Sequence, residues 1–401
     1  MAKTANEELF DALLRHQIYL MRYSGYVRNR IIEILDISEQ DLAAKILTSK
    51  PGKPGLQTPA ELNRMNRLLK SLAAIRQSAW KDANTFLTKE MTDLAIAEPI
   101  NLQKVMNTTS PVQLNTVLPP VTTLRSIALS RPFEGRTLKQ TASHMEAEDI
   151  RRVTNAVRVG MIEGETLPNI TRRVIGTKAL KGADGVTQLT RHQVQAVTRT
   201  AVNFVANQSR REFLLENQDV VLKERYTATL DGRTTDICAS LDGKVYKLGE
   251  GPYPPLHFNC RSIRIAEYDN TTMVERPAVP VTQKQLLREY TKENKLSPVT
   301  SRANLPYGTK TKFDQFKRKR IRQLVGRVPA KETYNTWLKK QSVEFQEDVL
   351  GVTKSKLYRD GGLTLDKFVN RVGDELNLSQ LAQKHASAFK AAGLDPADFI
   401  N

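Results

Sequence analysis

The sequence predicts an α+β protein that is predominantly α-helical, with long helices and a small antiparallel β module around residues 220–266. Three observations carry this. Apolar residues recur at helical spacing over long stretches of the 401-residue chain. Hydrophobic content is 40% but aromatic content only 6%, which suits seams of Leu, Ile, Val and Ala more than a large β protein. Turn-formers gather in one place, residues 225–265: Asp231-Gly232, Asp242-Gly243, Gly249, Gly251, Pro252, Pro254 and Pro255. Short alternating runs lie between them, which reads as small strands joined by tight turns.

In chain order, residues 1–98 form a helical region. Leu9, Leu13, Leu14 and Ile18 begin one apolar series, and Ser38 followed by Asp41 reads as a fresh helix start. Lys50-Pro-Gly-Lys-Pro-Gly55 is a break, and Thr58-Pro59 supplies an N-cap and a first-turn proline. One long helix is expected from there to about residue 97. Residues 99–136, with Pro99, Pro111, Pro119, Pro120 and Pro132, read as an extended connector. Residues 137–268 form an α+β module, in which a long helix over 189–217 leads into the strands. Residues 269–329 are a basic linker and helix, irregular over 266–282. Residues 330–401 are a small domain of short helices punctuated by glycines.

The formal net charge is +18 and the pI about 9.8, which points to a polyanionic neighbour, most simply nucleic acid. Lys317, Arg318, Lys319, Arg320 and Arg322 lie on a helix whose apolar side is Phe313, Phe316, Ile321 and Leu324. Such a run meets phosphates without reading bases; the competing reading is that it covers acidic neighbours. No apolar run is long enough for a membrane span, and the first residues lack the pattern of a signal peptide. Two cysteines in so long a chain argue against a disulfide framework and for synthesis in a reducing cytoplasm.

Both cysteines fall in the β module, with one of the five histidines: Cys238, His257 and Cys260, a C-x18-H-x2-C spacing. The set suits zinc, with Asp231, Asp236, Asp242 or a water as fourth ligand. Four readings compete: a structural metal site, a packed or disulfide-linked cysteine pair, a catalytic zinc activating water, and a buried histidine bonded to backbone. No phosphate-cradling glycine loop and no Ser/His/Asp pattern is present.

An ordered set of motifs runs through this stretch: Arg199-Thr200, Asp231-Gly-Arg233-Thr234, Cys238-Ala-Ser-Leu-Asp242-Gly243-Lys244, and Pro254-Pro255-Leu-His257-Phe-Asn259-Cys260-Arg261. Together they resemble the phage head morphogenesis family, the minor head proteins typified by phage Mu F. The resemblance is tightest over 140–265, and the run from Thr333 to Gly351 is similar to tails on such proteins. Many members carry further cysteines where this chain has Thr235 and Ser262, and a glutamate where it has Ala201. The resemblance implies a non-catalytic minor head protein of a tailed phage, made in the host cytoplasm and held in several copies per virion near the portal or in the capsid interior. It implies portal, coat or scaffold proteins and packaged DNA as partners. Asp231, Arg233, Asp242, Gly243, Lys244, Pro255, Asn259 and Arg261 would set turns and ion pairs. The rival expectations are a DNA-binding ejection protein acting through 317–322, and a metal-assisted hydrolase or nuclease using His257.

Overall fold

The computed structural model describes residues 5–50, 58–110, 114–221, 223–268, 275–329, 332–370 and 374–400. Helices dominate, as the sequence predicts. Six form the body: α1 (Ala5–Leu47), α2 (Pro59–Thr109), α3 (Val121–Leu129), α4 (Leu138–Glu163), α5 (Leu167–Ile175) and α6 (Thr187–Glu216). The β module follows with β1 (Lys223–Thr227), β2 (Leu230–Asp231), α7 (Asp236–Leu241), β3 (Val245–Lys247) and β4 (Ile263–Glu267). Then come β5 (Glu275–Val279), α8 (Gln283–Glu293), α9 (Thr309–Leu324) and β6 (Gly326–Pro329). The C-terminal helices are α10 (Tyr334–Lys339), α11 (Val343–Leu350), α12 (Val352–Arg359), α13 (Leu378–Lys384) and α14 (Ala386–Ala391).

Local chemistry sets many helix starts. Thr58 caps α2 in a reciprocal box with Glu61, and Pro59 follows it. Thr137 with Gln140 and Thr282 with Gln285 do the same for α4 and α8. Gly164 ends α4 in the left-handed conformation that favours glycine.

Three expectations need correction. Ser38 does not begin a helix: α1 is continuous for 43 residues. The Ser38 hydroxyl instead donates to Leu35 O (2.8 Å) and accepts from Arg76 Nη1 (2.7 Å), so its polar group is satisfied in mid-helix. Residues 99–136 are not extended throughout. Helix α2 runs through Pro99 to Thr109, and 121–129 is α3. Proline costs one backbone bond there, but its neighbours hold the helix: Glu98 is buried and bonded to His16 and Arg210, and Leu102 is buried. Finally, the linker over 266–282 contains a strand. β5 pairs parallel with β2 and antiparallel with β6, making a mixed sheet of order β2-β5-β6. The expected antiparallel sheet has order β3-β1-β4, with Arg225 opposite Ile265 and Glu224 opposite Tyr246.

The main core lies where α1, α2, α3, α4 and α6 meet, around Val27, Ile31, Trp80, Leu87, Ile127 and Val205. A second apolar cluster joins the first turns of α1 (Leu9, Phe10, Leu13) to the far end of α6 (Phe213) and to β4 (Ile263, Ile265). The β module is thereby seated on the body. At α9's level Phe313 packs with Leu286, Leu287 and Tyr290.

One charged pair lies inside the helical body. Arg76 and Asp149 are each about 1% exposed. Asp149 accepts from Arg76 Nε (2.7 Å), Trp80 Nε1 (2.9 Å) and Thr190 Oγ1 (2.5 Å), and Arg76 Nη1 also donates to Leu35 O (3.0 Å). Removing one member leaves the other charge buried and unpaired. Asp149→Ala is expected to lower stability by about 3–5 kcal/mol, read as a shift of the urea midpoint followed by tryptophan fluorescence. A change under about 1 kcal/mol would show that the pair is not buried as described.

Candidate functional site: the Cys-His module

The module is built on α6. Arg199 Nη1 donates to Asn259 Oδ1 (3.0 Å), and the next residue, Thr200, accepts the Asn259 N–H at Oγ1 (2.9 Å). Asn259 has φ 63°, a left-handed conformation that asparagine tolerates better than most residues. The Arg-Thr step thus clamps the turn that presents His257 and Cys260. One helical turn on, Asn203 Nδ2 donates to Ser262 O (3.3 Å) and Asn203 Oδ1 accepts from Gln17 of α1 (3.1 Å).

Asp231 and Asp242 organise the opposite side. Asp231 is nearly buried and bound by both arms of Arg261 (2.7 Å each) and by Arg233 (3.2 Å). Burial pushes its carboxyl up, but the Arg261 bonds and the charges of Arg261 and Arg233 outweigh this and hold it at about 2. Asp242 accepts the Ala228 N–H at one oxygen and the Tyr334 N–H at the other, both 2.7 Å. The Tyr334 hydroxyl donates to Asp231 O (3.1 Å). Both aspartates therefore fasten the start of the C-terminal helical segment to the module. Gly243 has φ 81°, and a Cβ there would lie 2.7 Å from Thr333 Cγ2, so the approach of α10 demands glycine. The peptide bond before Pro255 is cis. Lys244 sets a turn through its backbone, donating to Leu241 O (3.0 Å) and accepting from Tyr226 N (2.8 Å), while its side chain is exposed rather than ion-paired.

Cys238, on the short helix α7, and His257 and Cys260, on the loop before β4, come together. Cys238 Sγ lies 3.2 Å from His257 Nε2 and 3.8 Å from Cys260 Sγ, and all three ligand atoms fall within 4.8 Å of one another. Both cysteines are free and buried. The bond from the Cys260 thiol lowers the Cys238 pKa against the effect of burial, with His257 helping, while Cys260 is raised by the same bond. Burial opposes the imidazolium, but the Cys238 bond and charge raise the His257 pKa. His257 Nδ1 is 2.8 Å from Phe258 O, and only a protonated Nδ1 can bond a carbonyl. In the neutral ring that leaves the Nε2 lone pair facing Cys238, the arrangement by which a backbone carbonyl orients a metal-binding histidine.

The donor set fits a tetrahedral ion: with Zn–S near 2.3 Å, two thiolates on one zinc stand about 3.8 Å apart, as Cys238 and Cys260 do. None of the three aspartates proposed as fourth ligand faces the site. Asp231 and Asp242 are taken by the bonds above, and Asp236 lies beside Glu375 and Lys354, its carboxyl pushed up to about 6 first by burial. The groups that do reach it are hydroxyls, which the sequence does not single out as ligands. Thr235 Oγ1 is 2.9 Å from His257 Nε2, Tyr226 OH is 3.3 Å from Cys238 Sγ, and the buried Ser262 also bonds Cys238. Thr235 and Ser262 are the two positions that the family resemblance marks as cysteine sites; Tyr226 carries no such signal.

The basic helix α9 divides. Arg318 and Lys319 are exposed. Lys317 instead turns inward and donates to Gln283 Oε1 (2.8 Å), and Arg320 pairs with Glu289 (2.6 Å). The side chain of Arg322 lies outside the described residues. Asp231 supplies a pH test. Its folded pKa of about 2 is below the ordinary 3.8, so it adds stability that is complete above about pH 4 and is lost as pH falls towards 2, amounting to about 2 kcal/mol. Urea midpoints of the wild type and Asp231→Asn are expected to converge as pH falls from 5 to 2.5. A gap independent of pH would contradict the depressed carboxyl.

No curated protein and no solved structure matches the chain, and no helix among the described residues is long and apolar enough to cross a membrane. A family model does match: residues 151–265, from within α4 to the middle of β4, fit the family described as phage Mu protein F like protein, and this segment bears the resemblance to the Mu F-like phage head proteins that its motifs carry.

Proposed function

We propose that the protein is a minor head component of a tailed bacteriophage, non-catalytic, installed near the portal or on the capsid interior during head assembly. The observation that carries this is the family match over 151–265. The chemistry of the segment supports it: Arg199, Thr200, Asp231, Asp242 and Asn259 are each spent on fastening α6, the loop before β4 or α10 to the module. Its partners in this reading are portal, coat or scaffold proteins, and its basic excess of +18 suits a place beside packaged DNA. A role in genome delivery follows from the same placement.

Within that reading the Cys238, His257 and Cys260 set holds a structural zinc ion. The metal would cross-link α7 to the loop before β4, with the Thr235 hydroxyl beside it. Zinc on purified protein is expected at near one equivalent by elemental mass spectrometry, falling with Cys260→Ser, and chelation is expected to lower the thermal midpoint of the wild type alone. Metal-free protein with unchanged stability would leave the cysteines as a packed pair.

Mass spectrometry of purified virions against empty procapsids tests the main reading. Low-copy presence in both is expected. Absence from virions would overturn it and leave an assembly factor.

A further inference from the structure

Four cations from separate parts of the chain converge beside the module. Arg199 and Arg261 line a small recess with Gln17, Met21 and Ser24 of α1. Met21, Ser24 and Arg28 are spaced three and then four residues apart, so Arg28 stands one turn beyond Ser24 on the same face. Arg233 lies across from them on the turn after β2, with its side chain 55% exposed. Lys317 of α9 follows, held at Gln283. Arg233 and Arg261 share Asp231, and a Cβ on the neighbouring Gly232 would lie 3.1 Å from Thr282 Cγ2, next in the chain to the Gln283 that holds Lys317. Arg233 therefore stands between the recess and Lys317, and its charge bears on both Arg199 and Lys317.

The acidic side of the balance is thin. Asp231 is occupied by Arg261 and Arg233, and Asp314, the other carboxylate acting on Lys317, is paired with Arg302. Among the described residues neither Arg28 nor Arg199 has a carboxylate within ion-pair distance, and their side-chain bonds go to neutral amides, Asn29 and Asn259. Cations gathered this closely repel one another unless an anion lies among them. Guanidinium groups in that setting suit phosphate oxygens, which they can bind in pairs.

We propose that Arg28, Arg199, Arg233 and Lys317 form one continuous phosphate-binding track across α1, α6, the turn after β2 and α9, and that it takes the backbone of duplex DNA. The track is separate from the outer face of α9, where Arg318 and Lys319 lie. It deepens the reading of a protein beside packaged DNA, but its failure would leave the virion experiment untouched.

The test is fluorescence anisotropy of the full-length protein with a 20-base-pair duplex over a range of salt, with inorganic phosphate as competitor. The slope of log affinity against log salt reports the phosphates neutralised, about 0.9 for each. Arg233→Gln keeps the Arg261 and Asp231 pair, so the fold is retained. It is expected to lower the slope by about one. The triple variant Arg28→Gln, Arg199→Gln, Arg233→Gln is expected to lower it by about two to three and to weaken binding at least tenfold at about 100 mM salt. Thermal unfolding checks that each variant is folded. Unchanged slope and affinity in folded Arg233→Gln would overturn the proposal. So would loss confined to Arg318→Gln with Lys319→Gln, or phosphate binding at the track by wild type without measurable duplex binding.

Discussion

The Asp149 carboxylate is the point on which the helical body depends. Five groups from three other helices meet at it or at its partner Arg76: Arg76 itself and Trp80 from α2, Thr190 from α6, and the Leu35 carbonyl with Ser38 from α1. Taking the two charges out of water is expensive, and the cost is offset only when nearly every donor and acceptor is met. That condition holds for one axial setting of the helices. Seams of Leu, Val and Ala would tolerate a shift of a turn with modest loss, whereas this network would not. Two further ties repeat the device along α1: His16 and Arg210 share Glu98, and Arg191 bridges Asp36 and Glu39. Long helices of low aromatic content thus gain a fixed register from a few buried polar contacts.

The β module transmits that register. α6 reaches it through Arg199, Thr200 and Asn203, and α1 through Gln17, which donates to the Arg261 carbonyl. The C-terminal helices are fixed to it in turn by Asp242 and by the Tyr334 hydroxyl. The sheet is too small to hold a large core of its own. Its cluster of Tyr226, Ala228, Cys238 and Cys260 is compact, and the neighbouring apolar surface of β4 is completed by α1 and α6. It works as a junction, in which side chains that look like a binding motif in the sequence are mostly turned towards other parts of the same chain.

Much of this was legible in the sequence where local physics decides. The helices over 59–97 and 189–217 and the strands beside Asp231 and Asp242 follow from periodicity and turn chemistry, while the break expected at 50–55 lies, from Pro51 on, outside the described residues. The proximity of Cys238, His257 and Cys260 also followed, from three rare ligands sharing one turn-rich stretch. What failed depended on partners distant in the chain. Pro99 and Ser38 look like boundaries until Arg210, His16 and Arg76 are placed around them. The strand over 275–279 has no alternation to announce it and exists because β2 and β6 flank it. Lys317 looked solvent-facing by composition, yet Gln283 draws it inward. Asp231 and Asp242 looked like spare ligands, but backbone N–H groups and Arg261 had prior claim on them.

The contact between α1 and β4 has a consequence for the order of events during synthesis. Asn6 accepts the N–H of Tyr268, a separation of 262 residues, and Leu9, Phe10 and Leu13 are covered by Phe213, Ile263 and Ile265. At a ribosomal rate of about 5–20 residues per second, the opening turns of α1 wait roughly 13–50 s for the strand that covers them. During that interval its apolar face can be covered only in part, by Leu102 and Met106 of α2 and then Phe213 of α6. The part of α1 made first is therefore among the last to complete its native surroundings.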